Sequence, residues 1–192
     1  MSSQVSSPVR VRLRARQTET HTRLLEAGEH ELRAVGHEAL TIRTVAARAG
    51  VSPATAYTYL ASKNHLFAEL FLVYLLQEEP PVPPRGTPVT RVQVLTRWLG
   101  ARLAAAPELA AAVTPALLSS DPDVERLRGR IGLTFVDLFR AALGEGVSEE
   151  VLDSLLLAFF GALLQAGMGV TGYAELGDRL DPVVATTLRG NR

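Results

Sequence analysis

From residue 15 to the end of the chain, apolar residues recur three and four positions apart, the spacing of one face of an α-helix. Residues 89–192 carry no strand signal. Leu24, Leu25, Ala27, Gly28, Leu32 and Val35 form the buried stripe of a first long helix over 15–35, which Gly36 ends. Ile42, Val45, Ala46 and Ala49 then mark a short helix capped by Thr41, and Gly50 supplies the turn after it. Ser52 caps the next helix, with Pro53 at its first position, where a missing N–H costs nothing. That helix runs to about Leu60. Ser62 opens another over 63–79, whose apolar positions (Leu66, Phe67, Leu70, Phe71, Val73, Tyr74, Leu75) are too many for a simple surface helix.

Four prolines in the five residues 80–84 stop that helix, which places a boundary around 78–88. Beyond it the pattern predicts five more helices. They are 89–106; 107–118, with Pro115 as a kink or stop; 122–143, opened by Asp121-Pro122-Asp123 and closed by Gly144 and Gly146; 148–168, capped by Ser148 with Glu149 and Glu150; and 173–188, which Pro182 can break. The fold class is all-α.

Helix, glycine turn, helix over 40–60 is the helix-turn-helix pattern, whose second helix enters the major groove of DNA. Here that helix directs Ala54, Thr55, Thr58 and Tyr59 outward and packs Ala56 and Leu60 inward. Its outer face is small and hydroxyl-bearing, so it can approach base edges closely. Threonine bonds base edges or touches a thymine methyl, and tyrosine hydroxyls reach phosphates. Lys63 is the only lysine of the chain, and it stands at a helix N-terminus where charge and free N–H groups can hold a phosphate together.

The string TIRTVAARAGVS, followed by Tyr57, Thr58, Tyr59, Leu60, Ser62, Lys63 and Leu66, resembles the DNA-binding domain of the TetR family of bacterial transcriptional regulators. The likeness covers about a quarter of the chain. It departs from the usual pattern at Ala54 (often Gly), Leu60 (usually Phe) and Asn64 (usually acidic). The resemblance implies an N-terminal helix-turn-helix domain and a helical ligand-binding and dimerisation domain. It implies DNA contacts by Thr41, Arg43, Ser52, Ala54, Thr55, Tyr57, Thr58, Tyr59 and Lys63. The resulting organisation is a flexible basic arm over 1–14, a DNA-binding domain with its connecting helix over 15–79, and a helical effector-binding and dimerisation domain over 89–192.

Composition narrows the function further. The net charge is zero, but residues 1–65 hold nine Lys/Arg against five Asp/Glu, and residues 66–192 hold eleven Arg against fifteen acids. A basic head on an acidic body suits presentation of one end to a polyanion. The arm, with Arg10, Arg12, Arg14 and Arg16, suits a phosphate backbone or a minor groove. The chain has no cysteine, so disulfides, thiol catalysis and Cys-based metal sites are excluded. No histidine falls in 66–192, and His21, His30, His37 and His65 share no helical spacing with an acidic set. No phosphate loop or nucleophile arrangement is visible. The reading is therefore of a non-enzyme with no cofactor and no metal. The N-terminus lacks an apolar segment of the secretory kind and no uninterrupted apolar run is long enough for a membrane span, so a cytoplasmic protein without a membrane partner is expected.

Residues 152–169, LDSLLLAFFGALLQAGMG, are apolar almost all round, as in a helix buried on every face. A body of about five helices cannot cover it alone. A homodimer is expected, with this helix and the last one pairing with their symmetry mates in a four-helix bundle, and with Gly161, Ala162, Ala166, Gly167 and Gly169 allowing close approach. In TetR-like proteins the body binds a small molecule that alters the separation of the DNA heads. Trp98, Phe135, Phe139, Phe159 and Met168 are candidate pocket walls, and Thr134, Asp137 and Gln165 candidate polar contacts. The function expected is a repressor released from a palindromic operator in double-stranded DNA by a small apolar or amphipathic effector. An activator, or a ligand-responsive binding protein with a non-functional DNA head, is the alternative.

Overall fold

The computed structural model describes residues 8–189, with side chains from residue 15 onward, and among these there are nine α-helices, a short 3-10 turn and no strand. Helix α1 is Pro8–Ala39, α2 Ile42–Arg48, α3 Pro53–Tyr59 and α4 Lys63–Leu76. After the proline-rich segment come α5 Pro88–Ala105, α6 Pro107–Leu118, α7 Pro122–Leu143, α8 Glu149–Gly167 and α9 Leu176–Arg189, the last preceded by the turn Tyr173–Glu175. Helix α1 takes in residues 8–14, expected as part of a flexible arm; residues 1–7 of that arm lie outside the described residues. Its helical path breaks at Gly36, which takes a φ of 74° that glycine alone adopts freely, and one further turn succeeds it.

Two cores organise these helices. The smaller gathers Leu24, Leu32, Leu40, Val45, Ala56, Leu60, Leu66 and Phe67 from α1 to α4, and it also includes Ala112 and Ala116 of α6. The larger fills the space between α4, α5, α7, α8 and α9 and centres on Phe135, Phe139 and Phe159, whose rings lie 5.1–5.2 Å apart in the pairs 139–159 and 135–159. Helices α5 and α9 cross very closely. A Cβ on Gly177 would lie 2.8 Å from the Cα of Arg97, so only glycine admits this approach.

Basic side chains tie off helix C-termini throughout the fold. Arg23 donates to the carbonyl of Ala49 behind α2, and Lys63 Nζ donates to His37 O and Glu38 O at the end of α1, at 3.0 and 3.1 Å. Arg102 donates to Tyr74 O near the end of α4, at 2.6 Å. Arg128 reaches Leu117 O and Ser119 O at the end of α6, and Arg91 reaches Ala142 O and Leu143 O at the end of α7. Each satisfies carbonyls that a helix end leaves open and places a cation at the negative pole of its dipole.

Several boundaries differ from the sequence pattern. Helix α4 stops at Leu76 rather than 79, ahead of the prolines. Pro115 and Pro182 lie inside continuous helices and end neither. Both are exposed, as are Ala111 and Asp178 four residues before them, so water can serve the carbonyls that lose a partner. Ser148 has the extended backbone of an N-cap, but its side chain makes no capping bond. Helix α8 is long and apolar enough to cross a membrane by length and composition, yet Val151, Leu152, Leu155, Leu156, Phe159 and Ala166 are buried within the protein. Within the single chain it is not buried on every face, as expected of a helix that one body cannot cover alone. Leu157 (74% exposed), Phe160 (39%), Leu164 (40%) and Met168 (61%) form a bare stripe on its other side.

Candidate nucleic-acid interface and ligand cavity

The head begins with two capped helices set on α1. Thr41 caps α2 by accepting from Thr44 N at 3.1 Å, and the Thr44 hydroxyl accepts in return from Thr41 N at 3.2 Å. Ser52 caps α3 by accepting from Thr55 N, also at 3.1 Å. These caps fix the chain's entry into each helix and leave Thr41, Arg43, Thr44 and Ser52 exposed on the helix N-termini.

Helix α3 turns Ala56 into the core, with Leu60 buried behind it, and shows Pro53, Ala54, Tyr57 and Thr58 to solvent. Thr55 is half-buried, its Oγ1 lying 2.9 Å from Ser52 Oγ, and Thr58 Oγ1 donates to Ala54 O at 3.1 Å, leaving lone pairs free to accept. Tyr59 differs from expectation. It is half-buried, packs against the head core and lies with its ring 6.2 Å from that of His21. Tyr57, 49% exposed, is the aromatic that projects from this face.

Lys63 stands at the N-terminus of α4 as expected, but its side chain turns toward α1. Its ammonium is bonded to the two carbonyls at the end of α1, so it clamps α4 to α1. Arg48 is likewise engaged, with Glu31 at 2.5 Å, and Arg33 with Glu29 at 2.6 Å. Among the described side chains of residues 15–65, Arg16 and Arg43 are the exposed cations with neither an ion pair nor a hydrogen bond.

A polar junction joins head to body. Ser62, the cap of α4, accepts from His65 N at 2.9 Å and donates to Asp121 Oδ2 at 2.5 Å; Asp121, the cap of α7, accepts from Asp123 N at 2.9 Å. The Ser62 hydroxyl is the main reason that the Asp121 carboxyl ionises below its ordinary range. Nearby, His65 Nε2 lies 3.7 Å from Glu69 Oε1. The neighbouring His65 chiefly, with the charges of His21 and Arg130, holds Glu69 below the usual carboxylate range against the opposing effect of burial.

The body contains an apolar cavity of about 470 Å³ between α4, α5, α6, α7 and α8. Phe71, Leu103, Val113, Ile131 and Phe135 form its inner wall. Its polar features are few: Thr114, the Tyr173 hydroxyl 3.4 Å from Thr114 Oγ1, and Arg128. Size and lining are those of a site for an apolar small molecule.

Of the pocket residues expected from sequence, Phe135 alone lines this cavity. Phe139 and Phe159 are filled core, and Trp98 packs on the guanidinium of Arg102, 5.1 Å from its ring. Gln165 accepts from Arg179 at 2.8 Å, and Met168 faces outward. Thr134 bonds Arg130 O, and Asp137 is exposed beside Arg140. Helical periodicity marks a residue as inward but cannot say whether it meets another side chain or a void. The missed wall residues include Phe160, Leu163 and Leu164, which sit in the apolar run of α8. The missed Gly132 has no sequence signal: a Cβ added there would meet nothing within 4 Å.

Comparison with known proteins agrees with this geometry. Residues 24–70 match the family described as bacterial regulatory proteins, tetR family. HTH-type transcriptional regulators of Mycobacterium bovis and Mycobacterium tuberculosis are 44% identical over 178 residues, covering 91% of this chain and 83% of theirs. The HTH-type transcriptional repressor KstR of Rhodococcus jostii is 28% identical over 144 residues, 74% of this chain and 67% of that one. The crystal structure of a TetR transcriptional regulator from Rhodococcus sp. RHA1 superposes with a TM-score of 0.76 at 25% identity, covering 90% of this chain and 96% of that one.

Proposed function

The chain belongs to the tetR family of bacterial regulatory proteins and is a DNA-binding transcriptional regulator; on that footing we propose that it is a homodimeric repressor released from a palindromic operator by an amphipathic small molecule bound in the α4–α8 cavity. Residues 15–79 serve as the DNA-binding unit and 89–192 as the effector and dimerisation unit. Helix α3 reads base edges through Ala54, Thr55, Tyr57 and Thr58, while Thr41, Arg43, Ser52 and the helix N-termini hold phosphates. The effector's apolar body lies against Phe71 and Phe135, with its polar end toward Arg128.

One observation carries the regulatory part. Helix α6 places Val113, Thr114 and Leu117 in the cavity wall, and on its other side Ala112 and Ala116 in the core of the head. A molecule that pushes α6 outward therefore presses on the DNA-binding unit. An effector that fits only the displaced arrangement shifts the population away from DNA. The bare stripe of α8 supports the dimer, because apolar patches of this kind mark interaction sites.

The test is selection of sites from random double-stranded DNA at fixed salt, then release of the selected site. We expect an inverted repeat with half-sites about one helical turn apart. We then expect medium-chain carboxylates or similar amphiphiles to release it, read by fluorescence anisotropy. Enrichment of no sequence by folded, dimeric protein would overturn the DNA-reading assignment. An amphiphile that binds the protein yet leaves the operator complex intact would overturn the repressor mechanism.

A further inference from the structure

Arg128 stands where α6, α7 and the cavity meet. Among the described residues it is the one charged side chain in the lining of the α4–α8 cavity, and no carboxylate joins it there. The other polar groups of the wall are already engaged. The Tyr173 hydroxyl donates to Ala110 O at 3.3 Å and lies 3.4 Å from Thr114 Oγ1, so the two hydroxyls serve each other and a backbone carbonyl. A ligand with an apolar body therefore meets one polar partner with bonds to give, and that partner is a cation. A cationic ligand would find no counter-charge, and a neutral one would gain no charge-assisted bond.

The guanidinium is occupied along one edge. Nε donates to Leu117 O at 2.7 Å and Nη2 to Ser119 O at 2.6 Å, the carbonyls at the end of α6. Nη1 has no hydrogen bond or ion pair among the described residues. A guanidinium is a planar fork that carries donors on more than one edge. The edge shared by Nη1 and the second N–H of Nη2 is left over, and Arg128 is exposed, so an anion can reach it. Two parallel N–H donors match the two oxygens of a carboxylate.

The same side chain couples a ligand's charge to the cavity wall. Arg128 belongs to α7, and the carbonyls it holds form the negative pole of α6. A carboxylate on the free edge is a second negative partner for that one cation. It draws on the same charge and repels the carbonyls across the guanidinium, so the hold on α6 weakens.

We propose that Arg128 selects carboxylate-headed effectors and turns their charge into a loosening of the end of α6 from α7. This rests on the effector cavity proposed above and adds the headgroup class, the residue that reads it and the bonds it weakens.

The test compares hexanoate, octanoate and decanoate with their primary amides, which keep the chain and the shape of the head but carry no charge. Affinities are measured by isothermal titration calorimetry at neutral pH for the parent, Arg128→Gln, Arg128→Lys and Gly132→Leu, the last of which fills the cavity, with folding checked by circular dichroism. A charge-assisted fork at an exposed rim should make the best acid bind about tenfold more tightly than its amide. Arg128→Gln should erase that preference by weakening the acid alone. Arg128→Lys, a point charge without the fork, should keep a smaller preference. Amide hydrogen exchange over the last turn of α6 should quicken with the acid bound, but not with the amide at equal saturation. Equal affinity of acid and amide for the parent, or a preference that survives Arg128→Gln, would overturn selection by Arg128 and leave the cavity standing. If Arg128→Gln does not fold, an undiminished preference in Arg128→Lys overturns it instead. Exchange that stays unchanged or slows with the acid would overturn the loosening. Binding to Gly132→Leu as tight as to the parent, or no binding by either series, would remove the cavity itself.

Discussion

Replacing Lys63 by alanine separates two roles that one side chain could play in the head. The ammonium donates to His37 O at 3.0 Å and to Glu38 O at 3.1 Å, where α1 has just broken at Gly36, and it sits half-buried. Hydrogen bonds from a charged group contribute about 1.5–3 kcal/mol each when well buried, and partial exposure lowers that. Water can replace part of this stabilisation, so the pair together contributes about 1–2 kcal/mol. For a chain of this length a loss of that size lowers the melting temperature by roughly 2–8 °C. Thermal unfolding without DNA checks the value, with Lys63→Met retaining the aliphatic stem. Operator affinity is measured in parallel across a range of salt concentrations. Clamping of α1 to α4 predicts a stability loss, weaker binding at every salt concentration and an unchanged slope of log affinity against log salt. A phosphate-binding role predicts the reverse: a slope smaller by about 0.9 for each phosphate no longer neutralised, with stability intact. Melting within about 1 °C of the parent, together with the smaller slope, would refute the clamp.

The cavity and the remaining head residues can be tested in the same way. Gly132→Leu fills the cavity from a helical position where an added side chain meets nothing nearby; it should raise stability by about 0.5–1 kcal/mol through helix propensity while abolishing effector release, and retained release at parental effector concentrations would count against the cavity. Asp121 and Glu69 both ionise below their ordinary range, so the stability they contribute is full above their unfolded values and is lost as pH falls through the folded ones, from about pH 4.5 downward. Asp121→Asn with Glu69→Gln should therefore flatten the acid limb of a stability–pH curve, and a superimposable limb would remove these carboxylates from the account. Tyr57→Phe should alter operator binding with little change in stability, because the ring is exposed, whereas Tyr59→Ala should lower the melting temperature by removing packing on the head core. Melting curves and binding profiles that reverse this pair would show that the wrong tyrosine has been placed on the DNA. Arg43→Ala should reduce the salt slope without destabilising the fold, since the exposed guanidinium has no partner in the protein; an unchanged slope would take it off the phosphates.

Much of the head was legible because its signals are local. Thr41, Ser52 and Ser62 announce themselves as caps by residue type and by the helical runs they precede, and all three accept the bonds expected of a cap. Gly50 takes a φ of 66°, as the turn requires. The bonds of Lys63 were not legible for the opposite reason: its partners, His37 and Glu38, lie 26 and 25 residues earlier, and no spacing rule connects an ammonium to a distant helix end. The same holds for the basic balance of the first 65 residues. Arg23, Arg33, Arg48 and Lys63 count toward it in composition, but each is occupied within the fold. The cations without a partner in the protein, among the described side chains of residues 15–65, are Arg16 and Arg43. The sequence also could not reveal a void. Phe135 and Phe159 have equal claims by periodicity, yet one borders the cavity and the other fills the core.

The proposed regulation depends on how little separates the cavity from the head. Helix α6 is a single layer between them, and the residues it turns toward the head are Ala112 and Ala116. Alanine allows close packing and leaves no long side chain to absorb a displacement, so movement of the helix backbone passes directly to α1 and α4. Helix α4 offers the same short route: Phe71 lines the cavity while Leu66, Phe67 and Leu70 belong to the head core. At their edge, the Ser62–Asp121 bond fastens the start of α4 to the start of α7, whose Ile131 and Phe135 also border the cavity. A ligand that spreads α6 from α7 therefore works between two walls, one packed into the head and the other hydrogen-bonded to it.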